Sequence, residues 1–72
     1  KKIVTNEGKV IGTLKNLVVD FETGQVVDMI VQPDPSFDAS GYRIEGDRMF
    51  VSFESVKDIK DYIIVDRYLS RK

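Results

Sequence analysis

Acidic side chains are the residues of this sequence whose type and spacing could do chemistry. The candidates all lie in the first 38 residues: Asp20, Glu22, Asp28, Asp34 and Asp38. Carboxylate oxygens bind hard cations, but a helix–loop–helix calcium loop needs ligands at alternating positions, with a glycine at the sixth and a glutamate at the twelfth. These acids do not follow that spacing. We therefore interpret Asp20, Asp34 and Asp38 as turn residues that accept hydrogen bonds from nearby amides, and we predict no metal site.

Residues for catalysis are scarce. The chain has no histidine and no cysteine, which removes the commonest general base and the thiolate nucleophile. Its serines therefore have no histidine to activate them. Gly8 and Gly12 are separated by strand residues and do not form a glycine-rich phosphate loop. The sequence predicts a protein that is not an enzyme and uses no cofactor.

Length and charge restrict the classes of partner. A chain of 72 residues forms one small domain, and such a core contributes only about 3–5 kcal/mol net. The 11 basic and 12 acidic residues leave a net charge of −1, so we expect no nucleic-acid partner. The basic clusters at the two ends are expected to lie in solvent: Lys1, Lys2, Arg67, Arg71 and Lys72. No apolar run approaches the roughly 20 residues that span a bilayer, so we expect a cytoplasmic protein without direct membrane insertion.

The elements that must position these residues are strands, because the apolar pattern has a period close to two. The alternation changes phase near Lys15 and Asn16, which predicts a bulge in a long strand. Gly12 in the same strand predicts a bend or a close approach of another backbone. The predicted elements are strands at 3–5, 9–20, 26–30, 49–53 and 62–65 and a helical turn at 54–57. We predict an all-β fold, a small barrel of five to six short antiparallel strands with one helical turn.

The first hairpin carries apolar residues on both of its faces. Its loop is residues 22–24, with Gly24 suited to the left-handed position. The predicted register pairs Val19 with Val27 and Leu17 with Met29. These pairs are predicted to lie inside the barrel, while Asp28 faces away from the core. The opposite face carries Val18, Val26 and Ile30. Because a sheet with one wet face should alternate apolar with polar residues, we expect another subunit to cover this second face.

One irregular stretch, residues 33–41, interrupts the strands, and its two prolines exclude a central strand. Phe37 and Tyr42 lie in or beside it. Long loops in compact domains are often functional, and two roles stay open for these rings: they cover one end of the barrel, or they anchor a partner. Nothing in the pattern assigns an element beyond Asp66. We therefore treat residues 1–72 as one domain, with a core at 3–66 and a tail at 67–72.

The glycines, turn residues and apolar positions of residues 8–20, 23–27, 50–59 and 62–66 together resemble the PRC-barrel domain. That domain occurs in the photosynthetic reaction centre H subunit and in the ribosome maturation factor RimM. The Pro33-Asp-Pro35 insertion and the ending at residues 60–65 look most like the short stand-alone versions typical of archaea. Family members often have glycine near Lys60, so this turn is expected to differ here. The resemblance implies no catalytic residues.

What the resemblance implies for function is binding. Stand-alone archaeal members are associated with cell division, as partners of the SepF-type anchor of the FtsZ ring. We expect a non-enzymatic adaptor recruited to the division site, which pairs with itself as a homodimer or with a paralogous PRC-barrel protein. A ribosome-maturation or RNA-processing adaptor resembling the barrel of RimM is the alternative, and a small-molecule or metal-binding module is a third. The expected interface residues are Val18, Val26, Ile30, Phe37 and Tyr42.

Overall fold

The computed structural model describes residues 1–71, which form one β-sheet and one 3₁₀ turn. The elements in chain order are β1 (Lys2–Thr5), β2 (Val10–Val19), β3 (Val26–Pro33), β4 (Arg43–Glu45), β5 (Arg48–Ser52), the 3₁₀ turn (Phe53–Ser55), β6 (Val56–Ile59) and β7 (Ile63–Val65). The all-β class is confirmed. The described residues form seven strands, however, and not five to six. The additional strands are β4, which is only three residues long, and β6, which begins where the sequence pattern suggested a helical turn.

The strands lie side by side in the order β4-β5-β3-β2-β1-β7-β6. All neighbours are antiparallel except β1 and β7, which run parallel with Ile3 opposite Ile63 and Thr5 opposite Val65. The expectation of a wholly antiparallel barrel is therefore wrong. The chain crosses from β5 through the 3₁₀ turn to β6 at the other edge, and the following hairpin brings β7 back in the direction of β1. Within residues 1–71 the sheet is not closed into a barrel.

Strand β2 pairs with β3 along most of its length and with β1 near its start. The register with β3 shifts between Leu14 and Asn16, so Lys15 is the extra residue of the predicted bulge, and that prediction is confirmed. Gly12 lies where β2 touches β3. A Cβ atom there would be 2.1 Å from the carbonyl oxygen of Gln32. The predicted close approach of a backbone at Gly12 is also confirmed.

The core lies on the inner face of the curled sheet. Alternate residues of β3 point into it, and β5 faces them in register, with Met29 opposite Val51 and Val31 opposite Met49. The buried apolar residues are Ile3, Ile11, Met29, Val31, Tyr42, Met49, Val51, Ile63 and Val65. Burying one such aliphatic side chain contributes about 1.5–3 kcal/mol. The core therefore draws on both ends of the sheet, since β5 and β7 are separated by three strands.

Residues 66–71, which we call the tail segment, pack against the sheet. Asp66 begins a turn in which its Oδ1 accepts the amide hydrogens of Tyr68 (2.9 Å) and Leu69 (3.1 Å). Ser70 is fully buried. Its carbonyl oxygen accepts the amide hydrogen of Ser52 (3.0 Å), and its hydroxyl is hydrogen-bonded to the Tyr42 hydroxyl. The tail segment thus connects the end of β7 to the end of β5 and belongs to the folded domain.

Two of the basic end residues also have contacts that the expectation of solvated termini did not include. The Arg67 guanidinium lies 3.2 Å from a carboxylate oxygen of Glu7. The Arg71 guanidinium lies over the Tyr42 ring, 5.8 Å from its centroid. Lys72 lies outside the described residues. Arg67 and Arg71 thus contact other parts of the domain.

Candidate functional site

The acidic turn residues lie where the sequence predicts. Asp20 Oδ1 accepts the amide hydrogen of Glu22 (2.8 Å). Asp34 and Asp38 make the same bond with the residue two positions on, each at 3.0 Å. Their interpretation as turn residues is confirmed. Among residues 1–71, histidine, cysteine and acidic side chains form no group of three or more that could hold a metal ion.

Two of these carboxylates also have a serine hydroxyl as donor, which leads to a pH prediction. The Ser36 hydroxyl donates to Asp34, and the Ser40 hydroxyl donates to Asp38 at 2.6 Å. These side-chain bonds, with the backbone bonds second, lower the pKa of both carboxyl groups. A lowered folded-state pKa stabilises the fold above the unfolded pKa, and this contribution is lost as the pH falls through the folded-state pKa.

We expect both groups to titrate below the ordinary aspartate pKa in a carboxyl-detected NMR titration. Ser36→Ala should raise the pKa of Asp34 and leave that of Asp38 unchanged, so each carboxylate is the control for the other. Both groups titrating at the ordinary aspartate value would contradict the hydrogen bonds described here.

Asp28 is different, since it is only 5% exposed. It alternates with Met29 along β3 and so does face away from the apolar core, as predicted. It lies opposite Ser52 of β5, which is buried as well. The face opposite the core is therefore not solvent-exposed at this point. The sequence offered no signal for this, because the pairing of Asp28 with Ser52 joins segments that are distant along the chain.

Exposed apolar side chains are concentrated on the β2–β3 hairpin beyond the Lys15 bulge. We call residues 16–27 the hairpin arm. Leu17 is 43% exposed, Val19 is 44% exposed and Phe21 is 100% exposed, and Val27 is exposed too. The prediction that Leu17, Val19 and Val27 lie inside is wrong, and only Met29 of that set is buried.

The reason for this error is the length of the neighbouring strands. Strand β1 pairs with β2 only as far as Thr13, and β5 pairs with β3 only from Asp28 to Val31. Within the described part of the chain the arm is thus a ribbon of two strands that extends past the sheet. Its inner face continues the core face but has no strand beside it to help enclose it.

Three apolar residues that the sequence analysis assigned to an interface lie on the arm or beside it. Val18, Val26 and Ile30 are half-buried. The observed register pairs Ile30 with Asn16 and Val18 with Asp28, as predicted, but a second irregularity pairs Val19 with Val26 and not with Val27. Beside Ile30 lies Phe50 of β5, whose ring is covered by the Arg43 guanidinium at 4.2 Å. The exposed apolar surface of the arm is thus carried mainly by Leu17 and Val19, with the half-buried Val18 on the opposite face.

The two rings of the irregular stretch cover the core. Tyr42 is buried, and Phe37 is half-buried against it in an edge-to-face contact with ring centroids 5.4 Å apart. Both belong to or pack on the core cluster. Of the two roles left open, the structure shows the cover. Tyr42 has almost no exposed surface with which to contact a partner.

Two shallow pockets open on the surface of the described residues. One, of about 210 Å³, lies between the arm and the 3₁₀ turn and is lined mainly by polar groups: Asp20, Thr23, Gln25, Val26, Val27, Ser52 and Glu54. The other, of about 260 Å³, is mostly apolar and is lined by Lys2, Val4, Gly8 and Tyr62. We call the second the apolar pocket. The sequence gives no sign of it, because the pairing of β1 with β7 brings Tyr62 close to residues 2–8.

These features define a small all-β domain whose distinctive surface is an uncovered apolar arm. The chain belongs to the PRC-barrel domain family, whose model matches residues 1–71, and the resemblance found in the sequence is confirmed. It is similar to the uncharacterized protein MJ1118 of Methanocaldococcus jannaschii, with 32% identity over 66 residues that cover 92% of this chain and 72% of the relative. Neither match indicates an enzymatic family. No helix in the described residues is long and apolar enough to cross a membrane.

Proposed function

We propose that the protein is a non-enzymatic interaction module that binds another protein through the hairpin arm. The observation that supports this is the exposed apolar surface of the arm. Leu17 and Val19 are exposed on the inner face, and Val18 is half-buried on the outer face. A two-stranded ribbon is marginally stable in water by itself, and contiguous exposed apolar groups mark interaction sites on small proteins.

The charges at the end of the arm indicate the chemistry of the surface it fits. Asp20 and Glu22 flank Phe21 at the tip, and all three are exposed. An apolar anchor between two carboxylates is complementary to an apolar cavity with basic residues at its rim. The acidic tip and the net charge of −1 favour a protein partner over RNA, which selects for basic surfaces. We therefore prefer a protein-binding role to the RNA-processing alternative.

The partner that we propose belongs to the archaeal division machinery: a SepF-type protein that anchors the FtsZ ring. The support is membership of the PRC-barrel family and similarity to an archaeal relative. In this role the domain is an adaptor that is recruited to the division site by its partner. It does not need a membrane-spanning segment of its own.

Charged substitutions on the inner face of the arm are expected to weaken binding of the partner. The double variant Leu17→Glu, Val19→Glu should retain a purified SepF-type protein at least about tenfold less well than the unmodified chain in a pull-down, because two apolar contacts of this kind contribute more than the 1.4 kcal/mol that a factor of ten requires. Both side chains are exposed, so circular dichroism should show an unchanged fold.

The matched control is Ile59→Glu, which changes an exposed apolar residue on the edge strand β6. It should retain the partner as the unmodified chain does. Retention that is insensitive to the arm variant would overturn the arm as the binding surface. An unmodified chain that retains neither the SepF-type protein nor FtsZ would overturn the division role. The interaction role would then be tested by measuring the self-association of the purified chain.

A further inference from the structure

We propose that a second copy of this chain binds the tip of the arm: Phe21 of one copy inserts into the apolar pocket of the other, and the contact is repeated in the reverse direction. The inference rests on the proposed function in so far as the arm is an interaction surface. It adds the identity of one binding partner, a second copy of the chain, and the pocket residues that contact the tip. Three independent features carry it: the presented ring, the size and lining of the pocket, and their opposite charges.

The tip holds Phe21 in a defined position. The Asp20 amide donates to the Gln25 carbonyl oxygen (2.9 Å), and the Gly24 amide donates to the Asp20 carbonyl oxygen (2.7 Å). The Asp20 and Thr23 side chains accept two further amide hydrogens of the same turn. The four hydrogen bonds fix the backbone that presents the exposed ring, so little backbone entropy is lost when the tip binds.

The apolar pocket has the size and the lining that a phenyl ring requires. Its volume is about 260 Å³, whereas an apolar cavity of about 150 Å³ already accommodates benzene. Val4 and Tyr62 supply apolar and aromatic surface, and no heavy atom lies within 4 Å of where a Cβ of Gly8 would be. Edge-to-face contact with the Tyr62 ring is the arrangement that aromatic pairs prefer.

The charged residue that lines the apolar pocket is opposite in sign to those of the tip. That residue is Lys2. On the tip, Asp20 and Glu22 stand on either side of Phe21. Insertion of Phe21 therefore brings these two carboxylates near the Lys2 side chain, which gives the contact one preferred direction.

The tip lies away from the pocket of its own chain. Lys2 and Val4 of the pocket lie opposite Thr13 and Val10 near the start of β2, whereas Phe21 lies beyond the end of β2 at Val19. The tip and the pocket are therefore at opposite ends of β2.

The midpoint between tip and pocket falls near Asn16, which pairs with Ile30. Lys2, Thr13 and Gln32 lie opposite one another in register, and Gln32 alternates with Ile30 along β3. Lys2 of the pocket and Ile30 therefore share the outer face of the sheet. A twofold axis near Ile30 lets each tip reach the other copy's pocket and covers the half-buried outer face, as expected for a closed, self-complementary pair.

Disulfide trapping tests the contact directly, because the chain contains no cysteine. Equal amounts of the single variants Glu22→Cys and Asp61→Cys, which lie beside Phe21 and Tyr62 and leave both rings in place, are mixed under mild oxidation. We expect a linked dimer that contains one chain of each kind. The matched control replaces Asp61→Cys with Ile44→Cys, another exposed position, and should form at least about tenfold less linked product, since thiols that are not held together rarely meet. A preference for the Glu22→Cys chain to link with itself, or no excess of the mixed product over the control, would overturn the proposal.

Light scattering over a concentration series tests the assembly without any cross-link. The mass of the unmodified chain should double and then stay constant. Phe21→Ser should weaken the association at least about tenfold, since a central aromatic anchor dominates a small interface, whereas Tyr68→Ser at another exposed position should have no effect. An unmodified chain that stays monomeric at high micromolar concentration, or a mass that grows beyond two copies, overturns the reciprocal pair.

The two proposals fail in different ways. A monomeric chain that still retains a partner protein through Leu17 and Val19 overturns the self-contact and leaves the proposed function standing. A chain that forms the trapped dimer but retains no other protein supports the self-contact and overturns the division role. The arm variants and the tip variants are therefore measured in both assays.

Discussion

Replacing Gly12 with alanine is expected to unfold most of the protein. The added Cβ would lie 2.1 Å from the Gln32 carbonyl oxygen and 2.9 Å from Pro33 Cα, and both atoms belong to the backbone of the paired strand β3. Overpacking in a well-packed region costs about 1–3 kcal/mol, and more when backbone must move. Because a domain of this size has only about 3–5 kcal/mol of net stability, we expect Gly12→Ala to lose about 3 kcal/mol or more.

The matched control is Gly46→Ala, in the turn between β4 and β5. No heavy atom lies within 4 Å of the new Cβ there, and the cost comes only from the backbone conformation, with φ at 62°. A single residue held in the left-handed region costs about 1–2 kcal/mol. Urea unfolding followed by circular dichroism measures both variants. A Gly12→Ala protein as stable as Gly46→Ala would show that β2 and β3 do not approach as described.

Removal of the tail, by ending the chain at Asp66, is expected to have the second large effect. The deletion takes away Ser70, whose carbonyl oxygen accepts the Ser52 amide hydrogen and whose hydroxyl bonds to the buried Tyr42 hydroxyl. Each buried polar group that loses its partner costs about 1–3 kcal/mol, so two such groups cost about 2–6 kcal/mol. We expect the shortened chain to be largely unfolded, with loss of the β-sheet signal in circular dichroism.

Point variants separate the hydrogen bonds from the rest of the tail. Ser70→Ala should cost about 1–3 kcal/mol, because the Tyr42 hydroxyl is left buried without this partner. The double variant with Tyr42→Phe should recover part of that loss. Tyr68→Ser, at an exposed position of the same segment, should change the stability by less than about 0.5 kcal/mol. A shortened chain with the same urea midpoint as the full chain would show that the tail segment does not support the core.

The features that the sequence alone determined are local ones. The period of two placed β1, β2, β5 and β7 to within one residue and gave the start of β3, which ends at Pro33, three residues later than predicted (33 − 30). The left-handed glycine of the first hairpin is at Gly24, with φ at 74°, and the acidic turn residues accept the amides two positions on. Each of these depends on backbone conformation over a few neighbouring residues, which the types of those residues decide. The bulge at Lys15 belongs with them, because a change of phase is visible within the strand itself.

Only the tertiary structure decided which apolar residues are covered. Leu17 and Met29 lie opposite each other and occupy equivalent positions in the apolar alternation, yet Met29 is buried and Leu17 is exposed. The reason is that the strands on either side end before they reach the arm. The burial of Ser70 and the formation of the apolar pocket likewise depend on segments that are far apart in the chain. These outcomes follow from the lengths of neighbouring strands and from the parallel pairing of β1 with β7, and no local pattern of residue types encodes either of them.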